Sequence, residues 1–276
     1  MSTSSTPGIT VVVRWAVKIA RVNFRGTITY GLLEGQGVRL AKGDPFRGLE
    51  PLERWIPLKE VKLLPPVQPS KIIGIGLNYR DHAEEVGLPP PDEPLVFLKP
   101  PSAVIGPDDP ILLPPSSQRV DYEGELALIV SRRAKDITPD EAPDYILGYT
   151  CFNDVTARDI QEREGQWTRA KGFDTFAPLG PWIATDLDPT DLRIETFLNG
   201  ELRQSSRTSR LIFDPFGLLA FISRVMTLLP GDVIATGTPS GIGSIKPGDV
   251  VEVRIEGIGV LRNPVRSYLV PSSGTA

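Results

Sequence analysis

The chain has 276 residues, 40% hydrophobic and 23% charged, enough to bury a substantial core and unlike a disordered or collagen-like composition. Thirty Lys/Arg against 34 Asp/Glu give a net charge of −4, so no broad basic face is available to make nucleic acid the main partner. One His, one Cys and two Met exclude multi-histidine zinc sites, zinc ribbons and iron–sulfur clusters.

The lone Cys151 cannot pair internally, which favours a reducing, cytoplasmic location. Met1–Gly8 has no basic residue, unlike a signal peptide. The apolar stretch Ile9–Ala20 is interrupted by Arg14 and Lys18 and is too short to span a membrane. With 28 Pro and 26 Gly, many turns, short strands and few long helices are expected.

Short strands are predicted over Lys18–Phe24 and Gly26–Leu33, with turns at Gly35, Gly37 and Gly43. Residues 1–65 carry ten Lys/Arg and five Asp/Glu, while the remainder carries 20 and 29. The composition turns proline-rich over Leu63–Pro69. The predicted domains are therefore 17–66, small and strand-rich, and 67–270, larger, with 1–16 as a leader or extension and 271–276 as a tail.

Lys71–Gly76 is an apolar strand. Asn78–Gly87 reads as a short helix capped by Asn78 and ended by Gly87. It carries His82 and Glu85, three apart and so adjacent on its surface. Taken alone, such a histidine is more often satisfied or solvent-facing, but a carboxylate beside an imidazole also makes a general base. Glycines 74, 76 and 87 would let this helix act as a hinged lid. Gly74-Ile75-Gly76 begins like a dinucleotide-binding turn, but Tyr79 stands at the third glycine position and the required helix and parallel strand are missing.

Tyr122–Val130 is a strand that places Glu123 and Glu125 on one face. Two carboxylates about 6 Å apart repel by roughly 3 kcal/mol at an effective dielectric near 20. Either the face is solvated or a cation compensates. Tyr145–Asn153 is a strand leading into a helix that Gly165 stops, and helical spacing puts Asp154, Arg158 and Gln161 along one side. Asp154 alone could be a helix cap. Three carboxylate oxygens completed by water suit Mg²⁺ or Mn²⁺. Lys171, among small and aromatic residues, reads on its own as a lysine snorkelling to the surface.

Asn199-Gly200 marks a two-residue hairpin. Asp214-Pro215 starts a helix whose apolar face would run through Leu218, Ile222, Val225 and Leu229. Gly237–Gly243 lacks the Gly-Lys-Ser/Thr ending of a phosphate loop, though Thr238 and its neighbouring amides could hold a carboxylate. Asp249–Val260 alternates as a half-buried strand turning at Gly257. The sum is a strand-rich α+β chain without alternating βαβ units.

Five motifs in order, Asn78-Tyr79…His82…Glu85, Asp121-Tyr122-Glu123-Gly124-Glu125, Asn153–Asp159, Lys171–Thr175 and Thr236–Gly241, resemble the fumarylacetoacetate hydrolase family over roughly residues 70–265. Residues 18–65 look like the small N-terminal domain of some bacterial members. The resemblance implies rolled, mixed β-sheets and a homodimer as the usual assembly. It implies a divalent ion held by Glu123, Glu125 and Asp154, a base dyad of His82 and Glu85 on a lid, and substrate contacts from Lys171, Gln161 and Thr238.

The implied chemistry is enolate stabilisation on a small 2-oxo or 2-hydroxy-dienoic acid, leading to isomerisation, decarboxylation or C–C hydrolysis. The 2-hydroxyhepta-2,4-diene-1,7-dioate isomerase reaction leads, with acylpyruvate hydrolysis and oxaloacetate decarboxylation as alternatives. A non-catalytic, metal-dependent binder of organic acids is the reading from another class. It would not need His82 or Glu85.

Overall fold

The computed structural model describes residues 17–85 and 87–268; the expected leader and tail lie outside them. Strands Lys18–Phe24, Thr27–Glu34, Gly37–Asp44 and Gly48–Pro57 form an antiparallel meander. Its first turn is Arg25-Gly26, with φ of 52° and 86°, the positive values a two-residue hairpin requires. Lys18–Phe24 then pairs with Ala177–Ala184, so the N-terminal strands extend the main sheet. That 12-stranded sheet continues through Ile146–Asn153, Gly124–Val130, Val233–Ala235, Ile72–Gly76 and Leu95–Lys99.

A five-stranded sheet contains Glu201–Arg207, Arg193–Leu198, Val250–Ile255, Gly259–Ser267 and Ile111–Leu113. A three-stranded one joins Thr156–Ala157, Val120–Tyr122 and Gly243–Ser244. Most pairs are antiparallel, but Val233–Ala235 runs parallel to Ile72–Gly76 and Gly259–Ser267 parallel to Ile111–Leu113. The fold is thus strand-rich, with mixed sheets.

Gly124–Val130 is buried along its whole length. Leu126, Leu128 and Val130 join a core with Tyr149, Ile194, Val253 and Leu261, while Ala127 and Ile129 join a second core with Phe152, Leu179 and Val233. Burial on both faces explains why this strand reads as a continuous apolar run. Cys151 is buried in the first core, and loss of solvent pushes its thiol up to about 12. It is inert filler.

Four helices bear on the argument: α1 (Arg80–Glu85), α2 (Arg158–Glu164), α3 (Thr168–Lys171) and α4 (Pro215–Val225). The Asp214 carboxylate caps α4 by accepting from the N–H groups of Phe216 and Gly217, each at 2.9 Å. The expected apolar face of α4 is too long. The chain turns extended at Met226, leaving Val225 61% and Leu229 41% exposed. Leu228, bonded to Ala134 in both directions, is buried instead.

Gly74 and Gly76 are not hinges. They lie inside a paired strand, where a Cβ would meet the Phe97 ring at 2.2 Å and the Trp167 ring at 2.7 Å respectively. They are glycines because two aromatic rings pack on that strand. Asn78 does not cap α1. Its side chain donates to the carbonyls of Phe213 and Thr236 and accepts from the Phe213 N–H. It ties three segments together beneath the cavity described next.

Candidate metal centre and active site

The strand expected over Tyr122–Val130 is broken at Glu123. Val120–Tyr122 and Gly124–Val130 belong to different sheets, and the chain crosses between them at this residue. The crossing is close-packed: a Cβ on Gly124 would lie 2.1 Å from Thr196 Oγ1. A glycine between the two glutamates is therefore a steric requirement.

Asp154 is not on a helix. It follows the strand Ile146–Asn153, and Thr156–Ala157 intervenes before α2. Its N–H donates to the Glu123 carbonyl at 2.8 Å, and the Glu123 N–H donates to Asn153 Oδ1 at 3.0 Å. These bonds bring Asp154 to the glutamates more directly than helical spacing could. One carboxylate oxygen from each of Glu123, Glu125 and Asp154 lies within 4.8 Å of the other two. All three residues are buried, which excludes a solvated strand face.

Each carboxylate has one oxygen held by the fold. Glu123 Oε1 accepts from Arg158 and from Thr156 Oγ1 (3.1 Å), Glu125 Oε2 from the Gly237 N–H (2.8 Å), and Asp154 Oδ1 from Lys99. The other oxygens of Glu123 and Asp154 meet at Lys171. Lys171 Nζ sits among them, 2.9 Å from Glu123 Oε2 and 2.6 Å from Asp154 Oδ2. Lys171 is therefore buried at the end of α3, not snorkelling, and its ammonium lies 4.9 Å from the Phe97 ring centroid, a cation–π distance.

The electrostatics follow from these partners. Burial, then the neighbouring Asp154 and Glu123 carboxylates, hold Glu125 well above the ordinary carboxylate range. Burial would raise Glu123 too, but Lys171 and Arg158 overcome it and hold it far below that range. Burial opposes the charge on Lys171, yet Asp154 and Glu123 together raise it; Lys99, with burial dominant, is lowered. Arg158 donates to Asp121 and Glu123, and Asp121 also accepts from Arg119.

His82 is buried, and its Nδ1 lies 2.9 Å from Glu85 Oε2. The Glu85 partner oxygen accepts from the Gly241 N–H at 2.9 Å, docking α1 against the Thr236–Gly241 loop. A cavity of about 280 Å³ is lined by His82, Glu123, Glu125, Asp154, Arg158, Gln161, Lys171 and Thr238, with Ile75, Leu77, Leu88, Phe97 and Trp167 forming apolar wall. All eight residues singled out in the sequence lie at this site, seven on the cavity wall and Glu85 behind His82. The Gln161 carbonyl oxygen accepts from Arg158. Thr238 Oγ1 donates to the Gly124 carbonyl (2.9 Å) and accepts from Gln204 (2.8 Å).

Sequence reasoning missed Lys99, 1% exposed at the end of an edge strand, whose only sequence signal is a lysine closing an apolar run before Pro100-Pro101. It also gave no role to Arg158, whose guanidinium joins two carboxylates. The donor set fits a hard divalent cation: three buried carboxylates, no soft ligand, and a cavity side left for water or substrate.

Residues 71–266 match the fumarylacetoacetate (FAA) hydrolase C-terminal family, and residues 17–66 match the Rv2993c-like N-terminal family. The chain belongs to the fumarylacetoacetate hydrolase family. An uncharacterized protein of Archaeoglobus fulgidus is 64% identical over 245 residues, covering 89% of this chain and 94% of that one. A mitochondrial oxaloacetate tautomerase FAHD2B of Bos taurus is 45% identical, covering 76% and 71%.

Among solved structures, 2-hydroxyhepta-2,4-diene-1,7-dioate isomerase from Mycobacterium marinum superposes with a TM-score of 0.85 at 44% identity, covering 91% of this chain and 98% of that one. Maleylpyruvate hydrolase from Sphingobium, solved with manganese(II) and pyruvate, gives 0.78 at 31% identity, covering 91% and 100%. These members of the fumarylacetoacetate hydrolase family are an isomerase, a hydrolase and a tautomerase by name. Among the described residues of this member, no helix is long and apolar enough to cross a membrane.

Proposed function

We propose that this chain is a divalent-metal-dependent enzyme acting on small 2-oxo or 2-hydroxy-dienoic acids, with 2-hydroxyhepta-2,4-diene-1,7-dioate isomerisation as the leading reaction. The observation that carries this reading is the placement of a His–Glu dyad and a buried lysine on the same cavity as three carboxylates with converging oxygens. Glu123, Glu125 and Asp154 would hold Mg²⁺ or Mn²⁺, which when bound would supply Lewis-acid stabilisation of negative charge developing on the substrate's C2 oxygen.

The chain's own residues do the rest. Lys171 adds positive charge beside Glu123 and Asp154, on a cavity whose wall includes Phe97 and Trp167. Glu85 engages Nδ1 of His82, orienting the ring and leaving Nε2 to take a proton. For isomerisation of the 2-hydroxy-2,4-diene, His82 takes the C2 hydroxyl proton and returns it at C5, leaving a C2 ketone and a C3–C4 double bond. For hydrolysis of an acylpyruvate, the same nitrogen takes a proton from water as the oxygen attacks the distal carbonyl; the C3–C4 bond then breaks, its electron pair passing to the pyruvate enolate, and His82 returns the proton to C3. Gln161 and Thr238 are proposed as substrate contacts at the cavity wall.

A second reading, keto–enol tautomerisation or decarboxylation of oxaloacetate, draws support from the tautomerase relative. A non-catalytic organic-acid binder is disfavoured because it would not need the dyad. We also propose a cytoplasmic homodimer with neither nucleic acid nor membrane as partner.

The test is turnover of the dienoic diacid, an acylpyruvate and oxaloacetate, each with Mg²⁺ or Mn²⁺ and with EDTA. Metal-dependent turnover of at least one, lost with EDTA, is expected. Turnover unaffected by EDTA, or none with any of the three, would overturn the reading.

A further inference from the structure

Resting on the reading that this cavity is an active site, we propose that the loop 236–241 has two anchors with separate duties: Gln204 positions the substrate contact Thr238, and Tyr122 positions the His82–Glu85 dyad. Neither anchor is part of the cavity wall, so both act through the loop. The loop presents three groups to the site. The Gly237 N–H donates to Glu125 Oε2, Thr238 stands on the cavity wall, and the Gly241 N–H donates to Glu85 Oε1.

Gln204 is 1% exposed on the strand Glu201–Arg207. Its Oε1 accepts from the Gly124 N–H at 3.0 Å, and its Nε2 donates to Thr238 Oγ1 and to the Pro239 carbonyl, each at 2.8 Å. An N–H only donates and a carbonyl only accepts, so these two backbone partners give the amide a single orientation. The Thr238 hydroxyl in turn gives its one hydrogen to the Gly124 carbonyl at 2.9 Å. Gln204 thus sets both the place and the direction of that hydroxyl. It does so across two sheets, since Gly124 begins a strand of the 12-stranded sheet and Gln204 belongs to the five-stranded one.

The far end of the loop is held without Gln204. The hydroxyl of buried Tyr122 donates to the Gly241 carbonyl at 2.9 Å. A Cβ on Gly241 would stand 2.2 Å from the Arg203 carbonyl oxygen, so the Gly241 backbone lies directly against the strand Glu201–Arg207. Gly241 therefore keeps its place, and its bond to Glu85, when the clamp on Thr238 and Pro239 is lost. A contact used equally in ground and transition states shows its loss in KM, whereas misplacing a proton carrier shows in kcat.

The experiment is steady-state kinetics on Mn²⁺-loaded wild type, Gln204→Met and Tyr122→Phe, with whichever of the three substrates wild type turns over, beside a crystal structure of each variant. Gln204→Met removes two hydrogen bonds to neutral acceptors and should raise KM about tenfold, with kcat within about threefold of wild type. Tyr122→Phe should lower kcat about fivefold, with KM within about twofold. Thr238 should shift in the structure of Gln204→Met while the Glu85–Gly241 bond persists. In Tyr122→Phe that bond should lengthen while Thr238 stays bonded to Gln204. If Gln204→Met fails to fold, Tyr122→Phe still tests the division of duties, because it removes a single oxygen. Proportionate losses in both constants from either variant, as a merely structural role would give, overturn the proposal; so does a variant that alters neither constant. Wild type that turns over none of the three substrates defeats the reading of the site instead.

Discussion

Gly124→Ala tests whether the spacing of the two glutamates is set by packing. The added Cβ would stand 2.1 Å from Thr196 Oγ1 and 3.3 Å from Gln204 Oε1, so backbone or Thr196 must move. Overpacking of this kind costs about 1–3 kcal/mol, or roughly 3–10 °C of unfolding temperature in a domain of this size. Because the displaced residue lies between Glu123 and Glu125, Mn²⁺ affinity should also fall, by at least tenfold. Thr196 Oγ1 is buried and has no hydrogen-bond partner among the described residues, so Thr196→Ala alone should be close to neutral and should rescue much of the Gly124→Ala loss. Thermal melts and Mn²⁺ calorimetry on both single variants and the double give the cycle. Gly124→Ala with unchanged melting and metal affinity, or losses that simply add to those of Thr196→Ala, would refute the packing argument.

Other outcomes follow from the same geometry. His82→Ala should lower kcat by about 10²–10⁴-fold while Mn²⁺ affinity stays as in wild type, read by steady-state kinetics beside calorimetry. Lys171→Met removes the partner shared by two buried carboxylates and should destabilise the metal-free protein by about 3–5 kcal/mol, with most of that loss recovered when Mn²⁺ is added to the denaturation series. Glu125, raised by burial and by its acidic neighbours, binds its proton more tightly folded than unfolded. Its contribution to metal-free stability is therefore favourable at acid pH and declines as pH rises from the unfolded carboxylate value through the raised one. Glu125→Gln should flatten that decline in melts recorded across pH, and an unaltered slope would remove Glu125 as its source.

Local chemistry was legible where it is decided locally. Asn199-Gly200, with φ of 54° and 81°, makes the hairpin its dipeptide announces, and Asp214-Pro215 starts α4 as a capping pair should. The triad was legible as a set of motifs, but the way it assembles was not. Asp154 reaches the glutamates through a strand end and a backbone hydrogen bond, while helical periodicity assigned it to a helix face. The end of α4 was misplaced because an apolar residue at the right spacing, Leu229, sits beyond Met226, where the chain becomes extended and Leu228 bridges to Ala134. Lys99 lies 55 residues from Asp154, and three strands stand between Leu95–Lys99 and Ile146–Asn153 in the sheet order. Nothing adjacent to it in the chain marks it as buried. The glycines at 74 and 76 suggested mobility, whereas the rings of Phe97 and Trp167 explain them.

The most direct test of the central claim is a crystal structure of the protein grown with Mn²⁺, with anomalous data collected near the manganese edge. One anomalous peak per chain is expected, bonded to an oxygen from each of Glu123, Glu125 and Asp154, with Lys171 drawn away from at least one of the two oxygens it now contacts. A peak coordinated by other residues, or an ordered triad with Lys171 in place and no peak at saturating Mn²⁺, would contradict the account.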